Sequence, residues 1–127
     1  MAIARIVIVL TMASSLIFMV AAKSGKATFY TDYSQSACYE SKQEGTMIAA
    51  ANPRLYDNGK ACGHRYKIRC TGGTNHGDKP CRSGHVTVKI VDLCPDCAHD
   101  QLDLSKQAFR KIGNLDAGVI RINYVRV

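Results

Sequence analysis

Apolar and polar residues alternate in several short stretches of the chain, which is the pattern of β-strands with one buried face. In residues 65–70 the side chains of Tyr66, Ile68 and Cys70 alternate strictly with basic residues. Residues 86–90 repeat this alternation. Residues 28–33 alternate as well, residues 47–51 form a short apolar run and residues 118–127 are rich in Val and Ile, so the sequence predicts about five short strands.

One helix is predicted near the end of the chain, between Ser105 and Gly113. Serine commonly caps helix N-termini, and Gly113 suits the C-terminal cap. Turn residues at 57–59 and a polar loop at 71–83 separate the strands. Short strands with one late helix favour a small β-barrel. The apolar face of the predicted helix consists of Leu104, Ala108, Phe109 and Ile112.

The first 22 residues have the pattern of a signal peptide. Arg5 precedes an apolar run over residues 6–20, and small residues follow up to Ala22. A membrane anchor is the alternative, but a spanning helix needs about 20 apolar residues, and Lys23 follows at once. We therefore predict a leader at residues 1–22, a secreted domain at residues 23–127, and no transmembrane segment in the mature chain.

The composition fits a basic, folded, single-domain protein. The chain has 127 residues, of which 46% are hydrophobic, too many for a disordered chain. The formal net charge of +7 favours acidic partners. Arg65, Lys67 and Arg69 form either a stripe suited to acidic pectin or an anionic membrane surface, or simply a solvated strand face. We expect a monomer, and no nucleic-acid partner for a secreted chain.

The cysteines predict three disulfides. An even number of cysteines in a small secreted chain is typical of a disulfide framework, and six of them allow 15 pairings. A metal or redox site at Cys94 and Cys97, with His99 nearby, is the alternative. The oxidising compartment argues against it, so we expect no metal and no cofactor. All six lie after the leader: Cys38, Cys62, Cys70, Cys81, Cys94 and Cys97.

A series of short motifs carries a resemblance to a known family. They are ATFY at 27–30, SACY at 36–39, NGKACG at 58–63, YKIRC at 66–70, VKIVDLCP at 88–95, LDLS at 102–105 followed by Ala108-Phe109, and DAG at 116–118. In this order they resemble the plant natriuretic peptide group, expansin-like proteins with an endoglucanase-45-like domain. The resemblance covers essentially all of residues 23–127.

The resemblance implies a fold that is mainly β. It is a six-stranded double-psi β-barrel with one or two short helices and three disulfides. Matching the cysteines of expansins position by position implies the pairs Cys38–Cys62, Cys70–Cys81 and Cys94–Cys97. The resemblance also implies an extracellular protein of the apoplast or cell wall.

Three acidic residues are candidates for catalysis, because inverting glycoside hydrolysis takes two carboxyl groups. Asp92 and Asp103 resemble the acidic pair of expansins, and Asp103 matches the proton-donor position of the related endoglucanases. Asp32 lies in a segment similar to the one that holds the general base of those enzymes. With Thr28 and Tyr30, the resemblance implies a binding groove formed by Thr28, Tyr30, Asp92 and Asp103.

Two departures from the family pattern predict that the protein is not a hydrolase. Gln101-Leu102 replaces the His-Phe ahead of the donor, and the chain has no Trp to stack on a sugar. As structural alternatives, Asp103 orders the helix N-terminus together with Ser105, and Asp92 bonds to the backbone. The residues that either line a sugar-binding groove or pack in the core are Tyr30, Tyr33, Tyr39 and Tyr56.

The resemblance leaves several functions to compare. The leading one is an extracellular signal that acts on water and solute balance through a cell-surface receptor, with the active stretch at residues 31–65. The alternative is an expansin-like module that binds or loosens cell-wall glycans through Asp92 and Asp103. A weak endoglucanase, and a defence protein by analogy with barwin-type barrels, are further alternatives.

Overall fold

A computed structural model describes residues 21–74 and 79–127 of the chain. The predicted leader therefore lies outside the described residues, apart from Ala21 and Ala22. None of the helices in the described ranges is long and apolar enough to cross a membrane.

Six strands and two short helices make up the described fold. The strands are β1 (Lys23–Tyr30), β2 (Ile48–Ala51), β3 (Arg65–Gly73), β4 (Val86–Leu93), β5 (Gln101–Ser105) and β6 (Ile120–Arg126). The helices are α1 (Pro53–Tyr56) and α2 (Lys106–Ile112), and single 3-10 turns occupy Asp57–Gly59 and Leu115–Ala117.

The strands form a closed barrel in the order β1-β5-β2-β4-β3-β6. The pairs β1–β5 and β2–β4 are parallel, whereas the other neighbours are antiparallel. Closure gives every strand two neighbours, so its backbone groups are paired within the sheet. The predicted fold class, a mainly β six-stranded barrel with two short helices and three disulfides, is confirmed.

Aliphatic side chains fill the barrel, and α2 covers them. The strands alternate as the sequence predicts: Tyr66 and Ile68 of β3 are buried while Arg65, Lys67 and Arg69 are exposed. Helix α2 adds Ala108, Phe109 and Ile112 to the same cluster, each fully buried. The strand residues that complete the cluster include Ala27, Val88, Ile90, Leu102, Leu104, Ile120 and Ile122.

The first strand differs from the prediction of residues 28–33. It begins at Lys23 and ends at Tyr30, because residues 23–27 pair with β6 and residues 26–30 pair with β5. These backbone hydrogen bonds hold the polar residues 23–26 in an extended conformation that their sequence pattern does not favour. After Tyr30 the chain leaves the sheet, and Asp32 hydrogen-bonds to Ser34 instead.

Two further boundaries correct the sequence analysis. The pattern missed β5 and placed Leu104 on the helix, but Leu104 is a buried strand residue paired with Ala49. The predicted loop 71–83 begins later, since β3 continues along β6 to Gly73. Gly113 is the C-cap of α2 with extended backbone, and a Cβ there would lie 2.9 Å from Ile120 Cδ1.

The three disulfides join Cys38 to Cys62, Cys70 to Cys81, and Cys94 to Cys97. These are the pairs that the resemblance to expansins implies. The first ties the segment after β1 to the turn before β3, the second ties β3 to the stretch before β4, and the third closes the turn after β4.

Candidate functional site

Residues from four adjacent strands form a row across the outer surface of the barrel. Thr28 of β1 pairs with Asp103 of β5, Asp103 pairs with Ala50 of β2, and Ala50 pairs with Asp92 of β4. Paired residues point to the same side of a sheet. Their chain neighbours Ala27, Ala49, Leu102 and Leu104 belong to the core, so this aspartate row (Thr28, Asp103, Ala50 and Asp92) faces outward.

Ala50 separates the two carboxyl groups of the row. Neighbouring strands lie about 4.8 Å apart, so the backbones of Asp92 and Asp103 are about 9–10 Å apart. Ala50 lies between them and is only 4% exposed. We call this surface between the two acids the groove.

A chain of hydrogen bonds fixes the carboxyl group of Asp103. Thr28 Oγ1 donates to Asp103 Oδ1 over 2.9 Å and accepts from Gln101 Nε2 over 3.0 Å. Gln101 Oε1 in turn accepts from the backbone N–H of Ala98 over 3.1 Å. The backbone of the turn before β5 therefore sets the position of this acid.

The surroundings of Asp103 favour its protonated form. Partial burial raises its pKa most, the hydrogen bond from Thr28 opposes the rise, and the negative charge of Asp92 adds to it. The carboxyl of Asp103 therefore takes up a proton at a higher pH than a free aspartate does.

Asp92 is fixed in a different way, by the backbone. Its Oδ1 accepts from the N–H of Ala37 over 2.8 Å and from its neighbour Leu93 over 2.9 Å. This is the structural role considered for Asp92 in the sequence. The corresponding role for Asp103 is wrong, because α2 is capped by Ser105, whose Oγ accepts from the N–H of Ala108 over 3.1 Å.

Tyr30 lies beside both acids, two residues beyond Thr28 on the same face of β1. Burial raises the pKa of its hydroxyl most, and the charges of Asp92 and Asp103 raise it further. The hydroxyl therefore stays protonated and can donate a hydrogen bond. The ring of Tyr33 packs edge-on against Tyr30 with centroids 5.2 Å apart.

Tyr33 is held by α2, whereas the two other candidate tyrosines lie elsewhere. The Tyr33 hydroxyl accepts from the N–H of Lys106 over 2.9 Å and donates to Gln107 Oε1 over 2.7 Å. The ring of Tyr39 lies under the ammonium group of Lys89, and Tyr56 packs against the core.

Asp32 stands apart from the groove. Its Oδ1 accepts from the N–H and the hydroxyl of Ser34, over 3.0 and 2.6 Å, and its side chain is exposed. Of the sequence candidates, the structure brings Thr28, Tyr30, Asp92 and Asp103 together.

The sequence pattern did not predict two residues of the groove, Gln101 and Ala50. Gln101 differs from the His-Phe pattern of the related enzymes, and in the structure it donates a hydrogen bond to Thr28. The alternation of Gln101 and Asp103 with Leu102 and Leu104 contains the signal that would place both polar residues outward on a strand. Among the described residues, no three His, Cys, Asp or Glu side chains gather as metal ligands would.

The sequence is similar to proteins of one group, which share a double-psi β-barrel domain. The sequence model of a double-psi β-barrel family described as "Lytic transglycolase" matches residues 48–124. An EG45-like domain containing protein of Citrus jambhiri is 47% identical over 123 residues, covering 94% of each chain. A putative EG45-like domain containing protein 1 of Arabidopsis thaliana is 48% identical, covering 81% of this chain and 82% of that one. Expansin-B4 of Arabidopsis thaliana is 40% identical, over 63% of this chain and 33% of its own.

Solved structures agree with this grouping. A mutant Clavibacter michiganensis expansin in complex with cellohexaose superposes with a TM-score of 0.66 at 28% identity, covering 84% of this chain and 50% of that one. The endoglucanase Cel45A of Mytilus edulis superposes with a TM-score of 0.64 at 22% identity, covering 84% and 79%. The second likeness concerns the fold alone.

Proposed function

The chain belongs to the EG45-like, expansin-related family of double-psi β-barrel proteins, and from this membership we propose that it binds a cell-wall polysaccharide along the aspartate row without hydrolysing it. The observation that carries the proposal is the alignment of Thr28, Asp103, Ala50 and Asp92 across four strands. The cellohexaose bound to the Clavibacter expansin supports an oligosaccharide as the class of ligand.

The chemistry of the groove suits sugar hydroxyl groups. The free oxygens of Asp92 and Asp103 accept hydrogen bonds from hydroxyls, and the protonated hydroxyl of Tyr30 donates one. The aromatic ring of Tyr30 adds an apolar surface beside the acids. Donors, acceptors and a ring face together are what a pyranose unit requires.

Departures from the related enzymes support binding without hydrolysis. Glycoside hydrolysis needs two carboxyl groups, about 5–5.5 Å apart for retention and about 6.5–9.5 Å apart for inversion. Two backbone N–H groups engage Asp92 Oδ1, which holds this carboxyl in one orientation and leaves its other oxygen for a sugar hydroxyl. Gln101 also stands where the related enzymes have the His-Phe pair, and no Trp is present to distort a sugar.

The test is titration of the oxidised protein with cellohexaose by calorimetry, with a parallel assay for new reducing ends. We expect Asp103→Ala to weaken binding at least about tenfold, the scale of one lost charge-assisted hydrogen bond. Asp116→Ala removes the same charge from an exposed turn and serves as the control. Equal affinities of the two variants for cellohexaose would contradict the proposal that the groove binds the sugar. New reducing ends that are formed by the unsubstituted protein and not by Asp103→Ala would identify a hydrolase.

We propose an extracellular location for this binding. The predicted leader supports it, and so do the three disulfides, which persist in oxidising compartments. The apoplast or cell wall is the place where such a protein meets polysaccharide.

A second candidate function is signalling through a cell-surface receptor that controls water and solute balance. The observation that favours it is the segment 31–46, which is largely exposed and yet tied to the barrel by Cys38–Cys62 and by the contact of Ala37 with Asp92. A surface segment with a fixed shape suits recognition by a receptor. Saturable binding to plant plasma membranes and a change in protoplast volume would support signalling, and the absence of both would exclude it.

A further inference from the structure

The outer face of β3 and its neighbours is strongly basic. Arg65, Lys67 and Arg69 alternate with buried Tyr66 and Ile68, so all three side chains point outward and are exposed. Alternate residues of a strand are about 6.6 Å apart, so the three charges form a line along β3.

The strands beyond β3 extend this line into a surface. Arg121 of β6 is exposed and pairs directly with Lys26 of β1, while Arg69 pairs with Asn123 of β6. We call these five residues the basic face: Lys26, Arg65, Lys67, Arg69 and Arg121. Two more basic residues, Arg82 and His85, line one open depression together with Lys67 and Arg69.

The three strands that carry the basic face supply no acidic partner of their own. Strands β1, β3 and β6 contain no Asp or Glu. The salt bridges found within residues 21–74 and 79–127 involve Glu44 and Asp57, and none includes a residue of the basic face. Like charges paired across strands, as in Lys26 and Arg121, destabilise a sheet. The arrangement therefore costs stability that a bound anion would restore.

We propose that the basic face binds an anionic polysaccharide through the carboxylates of its uronic acid units. A linear set of cations suits a linear polyanion, and arginine can grip a carboxylate with two parallel hydrogen bonds. Insertion into a membrane needs several exposed apolar side chains, and among the described residues the large hydrophobic one that is exposed is Val127, whose N–H donates to the carbonyl of Arg65 at one end of this face. These observations favour the polysaccharide over a lipid surface.

Most of this second surface lies across the barrel from the aspartate row, whereas Lys26 lies on the same face of β1 as Thr28, two residues before it. In the order β1-β5-β2-β4-β3-β6, strands β3 and β6 are opposite β2 and β5. The proposal thus goes beyond the function proposed for the groove, and the two surfaces can be tested separately. The affinity for a neutral oligosaccharide reports on the groove, and the affinity for an anionic polysaccharide reports on the basic face.

The test is binding of the oxidised full chain to immobilised polygalacturonate. We expect Lys67→Glu with Arg69→Glu to lower affinity at least about tenfold at about 0.1 M salt, and high salt to abolish binding of the unsubstituted protein. The control is Arg54→Glu with Lys60→Glu, which changes the net charge equally at exposed positions around α1. Melting temperatures of both variants check that the barrel is intact.

Further binding experiments test which chemical group of the ligand is recognised and which surface binds it. Fully methyl-esterified pectin, which lacks the charge, is expected to bind more weakly than polygalacturonate, and Asp116→Ala, on an exposed turn outside the groove and the basic face, is expected to leave polygalacturonate binding unchanged. Equal losses in the two charge-reversal variants would overturn the proposal, because net charge alone would then explain the attraction. Stronger binding to phosphatidylserine vesicles than to polygalacturonate would overturn it in favour of a membrane surface.

Discussion

The partial burial of Asp103 determines how tightly the groove binds a proton. Burial raises the pKa of this carboxyl most, the hydrogen bond from Thr28 lowers it, and the charge of Asp92 raises it further. The folded chain therefore binds a proton at Asp103 more tightly than the unfolded chain does. Stability falls as the pH rises from the ordinary aspartate range through the raised pKa of the folded state.

Asp103→Asn is expected to stabilise the protein at neutral pH. Asparagine keeps an acceptor for Thr28 and removes the charge that the folded state disfavours. The gain should stay below about 1 kcal/mol, because the site is partly exposed and screened. Thermal unfolding at about pH 7 and about pH 3 measures it, and the gain should vanish at the lower pH, where the carboxyl is protonated in both states. A less stable variant at neutral pH would contradict this account.

Gly25 is required by the close approach of β1 to the turn before β5. A Cβ at this position would lie 2.1 Å from the carbonyl oxygen of Asp100, which also accepts from the N–H of Lys26. We expect Gly25→Ala to cost at least about 2 kcal/mol, since backbone has to move. Gly72→Ala in β3, with open space around its Cβ, is the control. Chemical denaturation should separate the two variants, and equal stabilities would contradict the predicted clash.

Among the elements, the segment between β1 and β2 depends on an ion pair. Glu44 Oε2 lies 2.8 Å from Lys89 Nζ on β4, and Lys42 lies 3.4 Å from the other carboxyl oxygen. The Lys89 contact lowers the pKa of Glu44, and the same contact raises that of Lys89. The end of the segment next to β2 is thereby held to the barrel.

Glu44→Gln is expected to lower the melting temperature at neutral pH. Because the folded-state pKa of Glu44 is depressed, the stabilisation is present above the ordinary glutamate range and is lost as the pH falls through the lowered value. The difference from the unsubstituted protein should therefore shrink on acidification, as a pH series of melting curves would show. Asp57→Asn, at an exposed pair 3.8 Å apart, should change little at any pH. A difference for Glu44→Gln that is independent of pH would mean that packing, not charge, is lost.

The strands β3 and β4 could be predicted from alternation alone, whereas β5 could not. Leu102 and Leu104 fit a strand, but Leu104 also fits the apolar face of the helix that follows at once. Five residues give too little pattern to decide, and the parallel pairing with β1 that holds them lies far away in sequence. The same long-range pairing aligns Thr28 with Asp103, so the residues of the groove came from family resemblance, not from periodicity.

At the scale of the whole molecule, the barrel separates two kinds of charge. The acids of the groove face outward from β4 and β5, and the cations of the basic face point outward from β1, β3 and β6. A modest core holds this arrangement together with three disulfides, which restrict the unfolded chain. The three disulfides should therefore contribute unequally to the free energy of unfolding.

Replacing Cys38 and Cys62 together by alanine is expected to cost more than replacing Cys94 and Cys97. The first bridge spans 24 residues and the second spans 3. The chain-entropy relation gives about 3.5 kcal/mol for the long loop and about 2 kcal/mol for the short one. Urea unfolding of the two variants measures the difference. A larger loss for the short bridge would show that strain or local packing dominates over loop closure.

The pairing of β6 with both β1 and β3 also sets the timing of folding. A chain is synthesised from its N-terminus, and β6 is the last of the described strands to emerge. Until then β1 and β3 each present an open edge that can pair with another chain. The barrel can therefore close only after β6 has been synthesised. A chain truncated before residue 120 would be prone to aggregate, even though it contains all the residues of the groove.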